Sequence, residues 1–160
     1  MTDPAGSVSI GSTDDAVRLA GRVLGPTEWV EITQENVDSF ARSVHDWHWA
    51  HNDPERAARG VFGAPIAHAH MTLSSLPHLR ESLLTAGSGE LMFYGYNRVR
   101  FPSPVAVGAR IRMHATVAAV EPIELGEQLT LDVRIEIEGQ ERPACVAQSV
   151  WRHYYVDAPD

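Results

Sequence analysis

Two stretches, Arg110-Ile111-Arg112-Met113-His114-Ala115-Thr116-Val117-Ala118-Ala119 and Leu129-Thr130-Leu131-Asp132-Val133-Arg134-Ile135-Glu136-Ile137-Glu138, decide the fold. In both, apolar and polar residues alternate. That period of two puts Ile111, Met113, Ala115, Val117 and Ala119 on one face of a strand, and the same holds for Leu129 to Ile137. Each is expected to be a strand with one wet face. Gly139-Gln140 reads as a turn, and Ala144 to Val156 as the last strand, so an antiparallel meander with one buried face is the economical arrangement. A partner for that face lies upstream. Ala67 to Leu84 reads as the longest helix, with Met71, Leu73, Leu76, Leu79, Leu83 and Leu84 apolar. Pro77 within it is expected to kink or split the helix near Ser74, because a proline removes one backbone bond at a cost of about 3 kcal/mol. A curved antiparallel sheet wrapped around this helix buries both surfaces, which predicts an α+β layered domain.

Earlier elements are shorter. Glu28 to Ile32 alternates as a short strand, Thr33 is a good N-cap, and Val37, Phe40, Ala41 and Val44 carry helical spacing to an end near Asp46. From Trp47 to Pro65 the chain is expected to be irregular, with Asn52-Asp53-Pro54, Gly60 and Gly63, and one helical turn at Glu55 to Ala58. Residues 1–20 read as a flexible lead-in, 21–156 as one domain and 157–160 as a tail; 160 residues fit a single core.

Composition excludes several classes of function. The net charge is −8, from 13 Lys and Arg against 21 Asp and Glu, which repels a phosphate backbone, so no nucleic-acid partner is expected. Arg98, Arg100, Arg110 and Arg112 remain available to pair with the phosphates of a small ligand, or simply to form a solvated face. No run approaches the roughly 18 apolar residues of a membrane helix, and Met1 to Asp15 holds no basic residue and no apolar block, so a soluble cytoplasmic protein is expected. The single cysteine, Cys145, sits in an apolar run and reads as core.

Five of the eight histidines (His45, His48, His51, His68 and His70) crowd the irregular segment. His45, His48 and His51, spaced by three, with Asp46 or Asp53, invite a metal reading, but no zinc signature is matched and Trp47 and Trp49 favour packing, so no metal is expected. An acid/base reading asks less of the geometry. Asp46 at a helix end and His51 in the loop beyond can converge on one water, the carboxylate taking its proton and the imidazole holding the water or returning a proton. A turn cap and a satisfied polar histidine would show the same spacing. Ile66-Ala67-His68-Ala69-His70 begins a helix whose free N–H groups can hold an oxyanion, or is an ordinary helix start.

Asp46-Trp47-His48-Trp49-Ala50-His51-Asn52-Asp53-Pro54-Glu55-Arg56-Ala57, followed by Phe62-Gly63 and Ile66-Ala67-His68, resembles the hydratase motif of MaoC-like dehydratases, in their nodulation-protein-N-like branch. The likeness continues through Asn97 to Val105 and Pro143 to Ala147. It implies a hot-dog fold, a homodimer, no cofactor, and hydration of trans-2-enoyl-CoA thioesters to (R)-3-hydroxyacyl-CoA or the reverse. It also implies Asp46 and His51 as the pair that activates water, the backbone N–H of Ala69 on the thioester oxygen, and His48, Trp49, Gly63, His68 and Asn97 toward the substrate. Three positions depart from the family pattern: His45 replaces a usual Gly, His48 an Asn or Gln, and Ala69 a Gly. A hot-dog thioesterase, for which the central helix offers only Glu81, and a noncatalytic acyl-CoA-binding protein are the alternatives.

Overall fold

The computed structural model describes residues 7–155. Along the chain run β1 (Val8–Ile10), α1 (Thr13–Arg18), β2 (Val23–Leu24), β3 (Val30–Glu31), α2 (Gln34–Val44), α3 (Trp49–Asn52), α4 (Pro54–Ala58), α5 (Ala69–Ser74), α6 (Leu76–Glu81), β4 (Leu84–Ala86), β5 (Glu90–Arg100), β6 (Arg110–Ile123), β7 (Gly126–Ile137) and β8 (Cys145–Tyr154). The expected strands are present, and β6, β7 and β8 form the antiparallel meander, Ile111 opposite Ile137 and Val133 opposite Ala147. The first long strand, β5, does not join β6. It crosses over to pair antiparallel with β8, giving the order β2-β6-β7-β8-β5, with β3 also on β6.

Alternation translates directly into burial. Ile111, Met113, Ala115 and Val117, with Leu129, Leu131, Val133, Ile135 and Ile137, pack into one core with Leu76 and Leu79 of α6. The sheet wraps its apolar face around the helical segment, an α+β hot-dog fold. Cys145 is buried in the same core, where desolvation pushes its thiol pKa up to about 11, as suits an inert side chain.

The central helix is broken where the proline predicts. Pro77 lacks the N–H that would reach the Leu73 carbonyl, so α5 stops at Ser74 and α6 restarts at Leu76, with Pro77 in its first turn. Two boundaries differ from expectation for one shared reason. Helix α6 ends at Glu81, and Leu84 instead opens β4, because β1 supplies a parallel partner pairing Val8 with Leu84. That partner lies inside the stretch expected to be a flexible lead-in. Residues 7–20 are packed: Ile10 and Ala16 are fully buried and Leu19 almost so. The tail, 157–160, and the end of the domain at Val156 lie outside the described residues.

A buried polar contact closes this end of the molecule. The His153 imidazole faces Glu127 Oε1 at 2.9 Å through Nδ1 and the Ser88 carbonyl at 2.6 Å through Nε2, while Tyr155 donates its hydroxyl to the same Glu127 oxygen at 2.7 Å. With Nε2 donating to the Ser88 carbonyl, Nδ1 and the Glu127 carboxyl share a hydrogen bond, and both side chains are virtually inaccessible to water. It pins β7 and β8 to the turn before β5. Removing one member leaves the other's buried polar group without its partner, which costs about 1 to 3 kcal/mol. Glu127→Ala should lose that much in urea unfolding, and a change under 1 kcal/mol would contradict the assignment.

Candidate active site

The loop leaving α2 sets the first functional side chain. Thr33 and Asn36 form a reciprocal capping box at the start of α2, and the helix ends at His45 in the left-handed conformation, φ 58°. A glycine is the residue that adopts this φ without strain, so the family's usual Gly and the histidine found here answer the same backbone demand. The turn delivers Asp46 to the protein surface, half exposed, its N–H bonded to the Ala41 carbonyl at 3.1 Å. His45→Gly should raise stability by about 0.5 to 1 kcal/mol, the relief of left-handed strain outweighing the entropy added to the unfolded chain. Thermal unfolding reads it, and a loss of stability would contradict the strain account.

Past Asp46 the chain makes a second helical turn, α3, in a stretch whose composition predicts irregular structure. His48 caps it: its Nδ1 accepts the Ala50 N–H at 3.3 Å, a task that an Asn performs at the same position. Asp53, considered above as a metal ligand, caps α4 through the Arg56 N–H at 2.9 Å. Trp49 lies beneath the Arg56 guanidinium, 4.7 Å from it, and against Gly60. Helix α3 turns His51 back toward Asp46. The His51 Nδ1 donates to the Ile66 carbonyl at 2.7 Å, and the Ile66 N–H returns a bond to the Ala50 carbonyl at 2.9 Å. With Nδ1 carrying the hydrogen, Nε2 offers a lone pair.

His68 completes the group. It is almost fully buried, stacks on His51 with ring centroids 3.8 Å apart, and sits beside Phe40. Its Nε2 donates to the backbone carbonyl of Asp46 at 3.0 Å and lies 4.0 Å from the carboxylate. One nitrogen or oxygen each from Asp46, His51 and His68 fall within 4.8 Å of one another. Such spacing suits a water hydrogen-bonded at about 2.8 Å to each neighbour. A zinc ion, with bonds of about 2.0 to 2.1 Å, would require the groups to close up and the His68 Nε2 to surrender its hydrogen bond. The helical His45, His48, His51 arrangement considered for a metal does not exist, since His45 and His48 cap different helices.

These groups open into a cavity of about 440 Å³ that Asp46, His51, His68 and Ala69 line together with Phe62, Thr72, Phe101, Ser103, Val105 and Ala144. Ala69 is the first residue of α5, and no side chain caps that helix start. With only six residues in α5, any anion held there meets individual N–H groups rather than a long helix dipole. His48, Trp49, Gly63 and Asn97, expected near the substrate, do not line the cavity. Gly63 occupies a turn at φ 70° beside Phe62, and Asn97 lies on β5 bonded to Gln148 at 2.9 Å. Phe62 and Phe101 were missed as site residues, although both belong to the quoted motif stretches; nothing local separates an exposed aromatic lining a cavity from one lying on a surface.

Burial lowers the His51 pKa below 6.5; the Ile66 bond opposes this, neighbouring His68 and His48 reinforce it, and Asp46 opposes it. The unfolded chain therefore binds more protons at this residue than the folded one. Stability rises with pH through the window between the folded pKa and 6.5, and His51 withdraws it as the solution is acidified. The acid slope of unfolding free energy should be shallower in His51→Gln than in wild type; an unchanged slope would remove His51 as its source.

Comparison with known proteins agrees with this geometry. A family model described as the MaoC like domain matches residues 15–139. The chain belongs to the MaoC-like family. It is 45% identical over 144 residues to 3-hydroxyacyl-thioester dehydratase Z of Mycobacterium tuberculosis, covering 89% of this chain and 95% of that one. It is 36% identical over 146 residues to Nodulation protein N of Rhizobium leguminosarum bv. viciae, covering 85% and 87%. Among solved structures, the R-hydratase PhaJ1 of Pseudomonas aeruginosa superposes with TM-score 0.71 at 16% identity, over 88% of each chain. The (R)-hydratase of A. caviae gives 0.69 at 23%, over 84% of this chain and 96% of that one. At such identities the solved structures speak for the hot-dog fold.

Proposed function

We propose that this MaoC-like protein is a hydro-lyase that adds water syn across the C2=C3 bond of trans-2-enoyl-CoA thioesters, giving (R)-3-hydroxyacyl-CoA, and catalyses the reverse dehydration. The observation that carries the reading is the meeting of the Asp46 carboxylate and the His51 imidazole within 4.8 Å, with His51 Nδ1 committed to Ile66. A water between them donates one hydrogen to Asp46 and the other to His51 Nε2, which leaves an oxygen lone pair for C3. As the C–O bond forms, the carboxylate takes the water proton and negative charge moves to the thioester oxygen. The Ala69 N–H receives that charge, a contact worth about 3 kcal/mol for a well-placed donor. The proton then returns to C2 on the face it came from. The names of the 45% identical dehydratase and of the (R)-hydratases that share the fold support the same chemistry.

His51, kept neutral by burial, holds water without competing for its proton at the start of the reaction. His68 is a positioning residue rather than a substrate contact: it holds the Asp46 backbone and stacks on His51. We further infer a cytoplasmic homodimer. No helix among the described residues is long and apolar enough to cross a membrane. The edge strand β5 exposes Met92, Phe93 and Tyr94, apolar surface that a second copy pairing along this edge would cover.

The test uses crotonyl-CoA. Wild-type protein should consume the conjugated enoyl absorbance without releasing thiol, and Asp46→Asn and His51→Ala should each lower kcat by about 10²- to 10⁴-fold. Thiol release would make the protein a thioesterase, and binding without turnover would make it a noncatalytic acyl-CoA carrier. Either result overturns the assignment.

A further inference from the structure

Four arginines stood out in the sequence as possible phosphate partners, and the fold separates them. Arg110 is held by both carboxylate oxygens of Glu138. Arg112 donates to Glu136 at 2.9 Å and covers the Trp29 ring at 4.5 Å. Arg98 and Arg100 are different. Both are exposed on β5, and neither has a carboxylate within ion-pair distance among the described residues; Arg100 bonds only the Val99 carbonyl next to it. Val99 between them packs against the core, so the two arginines share the outer face of the sheet.

That face carries a concave surface of about 510 Å³, with Arg98 on one side and Arg134 and Asp132 on the other. Gln148 occupies the Asp132 carboxylate at 2.8 Å, while Arg134 stands 3.6 Å from Glu136 and donates to the Glu141 carbonyl. Apart from the closed Arg110–Glu138 pair, four arginines (Arg98, Arg100, Arg112 and Arg134) here meet two carboxylates (Asp132 and Glu136), in a chain whose net charge is −8. A local excess of guanidinium on an acidic protein draws anions to that place.

The groove and the reaction cavity share no lining residue but come near each other at one end of the β5–β8 pair. Phe101 lines the cavity and follows Arg100 in the chain; Ala144 lines the cavity, while Val146, opposite Arg100, borders the groove. From Phe101 to Arg98 the strand covers about 10 Å at roughly 3.3 Å per residue, a span within reach of a pantetheine arm. We propose that Arg98 and Arg100, with Arg134 across the groove, bind the phosphates of coenzyme A, so that the nucleotide end of the substrate lies on the outer sheet face while the thioester sits in the cavity. This rests on the hydratase reading for its substrate class, but the phosphate site itself can be tested without turnover. Guanidinium groups pair with phosphate through two parallel N–H bonds, and a compact groove suits a nucleotide better than the broad acidic surface of a carrier protein.

The probe is 3′,5′-ADP, which carries phosphates but no thioester, titrated calorimetrically into wild-type protein and variants. Wild type should bind it, Arg98→Ala/Arg100→Ala should bind about 10-fold or more weakly, since a hydrogen bond to a charged group is worth about 1.5 to 3 kcal/mol, and affinity should fall with added salt. Arg110→Ala should bind as wild type. With crotonyl-CoA the double variant should raise KM at unchanged kcat, and with the N-acetylcysteamine thioester it should match wild type. No binding of 3′,5′-ADP by wild type, or equal affinity in the double variant and wild type, overturns the phosphate site. A hydratase inactive on both thioesters overturns the catalytic reading and leaves the nucleotide titration to decide this one.

Discussion

The hydrogen bond from His51 Nδ1 to the Ile66 carbonyl is the contact through which the site is assembled. It joins helix α3 to the residues that lead into α5, and the return bond from the Ile66 N–H to the Ala50 carbonyl makes the connection two-sided. Ile66 is bridged in turn to Ala106, and the Ala67 N–H bonds the Val105 carbonyl, so the whole segment is fastened to the loop between β5 and β6. Without it the imidazole would be free to rotate and to exchange tautomers. With it the Nε2 lone pair points in one direction, and the start of α5 lies at a fixed distance from it.

Burial and charge then work in the same direction at that imidazole. Desolvation, together with the neighbouring His68 and His48, favours its neutral form, and Asp46 is too exposed to reverse the balance. His68 stacks on the His51 ring with centroids 3.8 Å apart, which is how it comes to be one of the neighbours that disfavour a charged His51. A carboxylate facing solvent beside an imidazole held neutral gives two acceptors for one water. Structure and electrostatics therefore suit the proton transfer proposed for this site.

The sheet was legible in the sequence because Ile111 to Val117 and Leu129 to Ile137 alternate without interruption, and a period of two admits one burial pattern. Pro77 marked the helix break because a missing N–H acts locally. The packing of residues 7–20 was not legible: Val8–Ile10 becomes a strand only because Leu84–Ala86 lies beside it, a pairing across more than seventy positions with no local signature. The crossing of β5 to β8 was hidden for the same reason. At the site, Asp46, His51, His68 and Ala69 were readable from motif spacing. The outer position of Asn97 and the capping role of His48 were not, because spacing does not state toward which face a side chain turns. The division of four arginines into two that are paired and two that are open depends on cross-strand neighbours, and so belongs to the register rather than to the motif.

Everything proposed for the chemistry requires that water and proton reach the double bond from the same side, since both acceptors lie on one wall of the cavity. Hydration of crotonyl-CoA in heavy water, followed by determination of the product's configuration at C2 and C3 by NMR, measures this directly. The account predicts that oxygen and deuterium are added syn, with the R configuration at C3. Addition from opposite faces, or a product scrambled at C2, would contradict it.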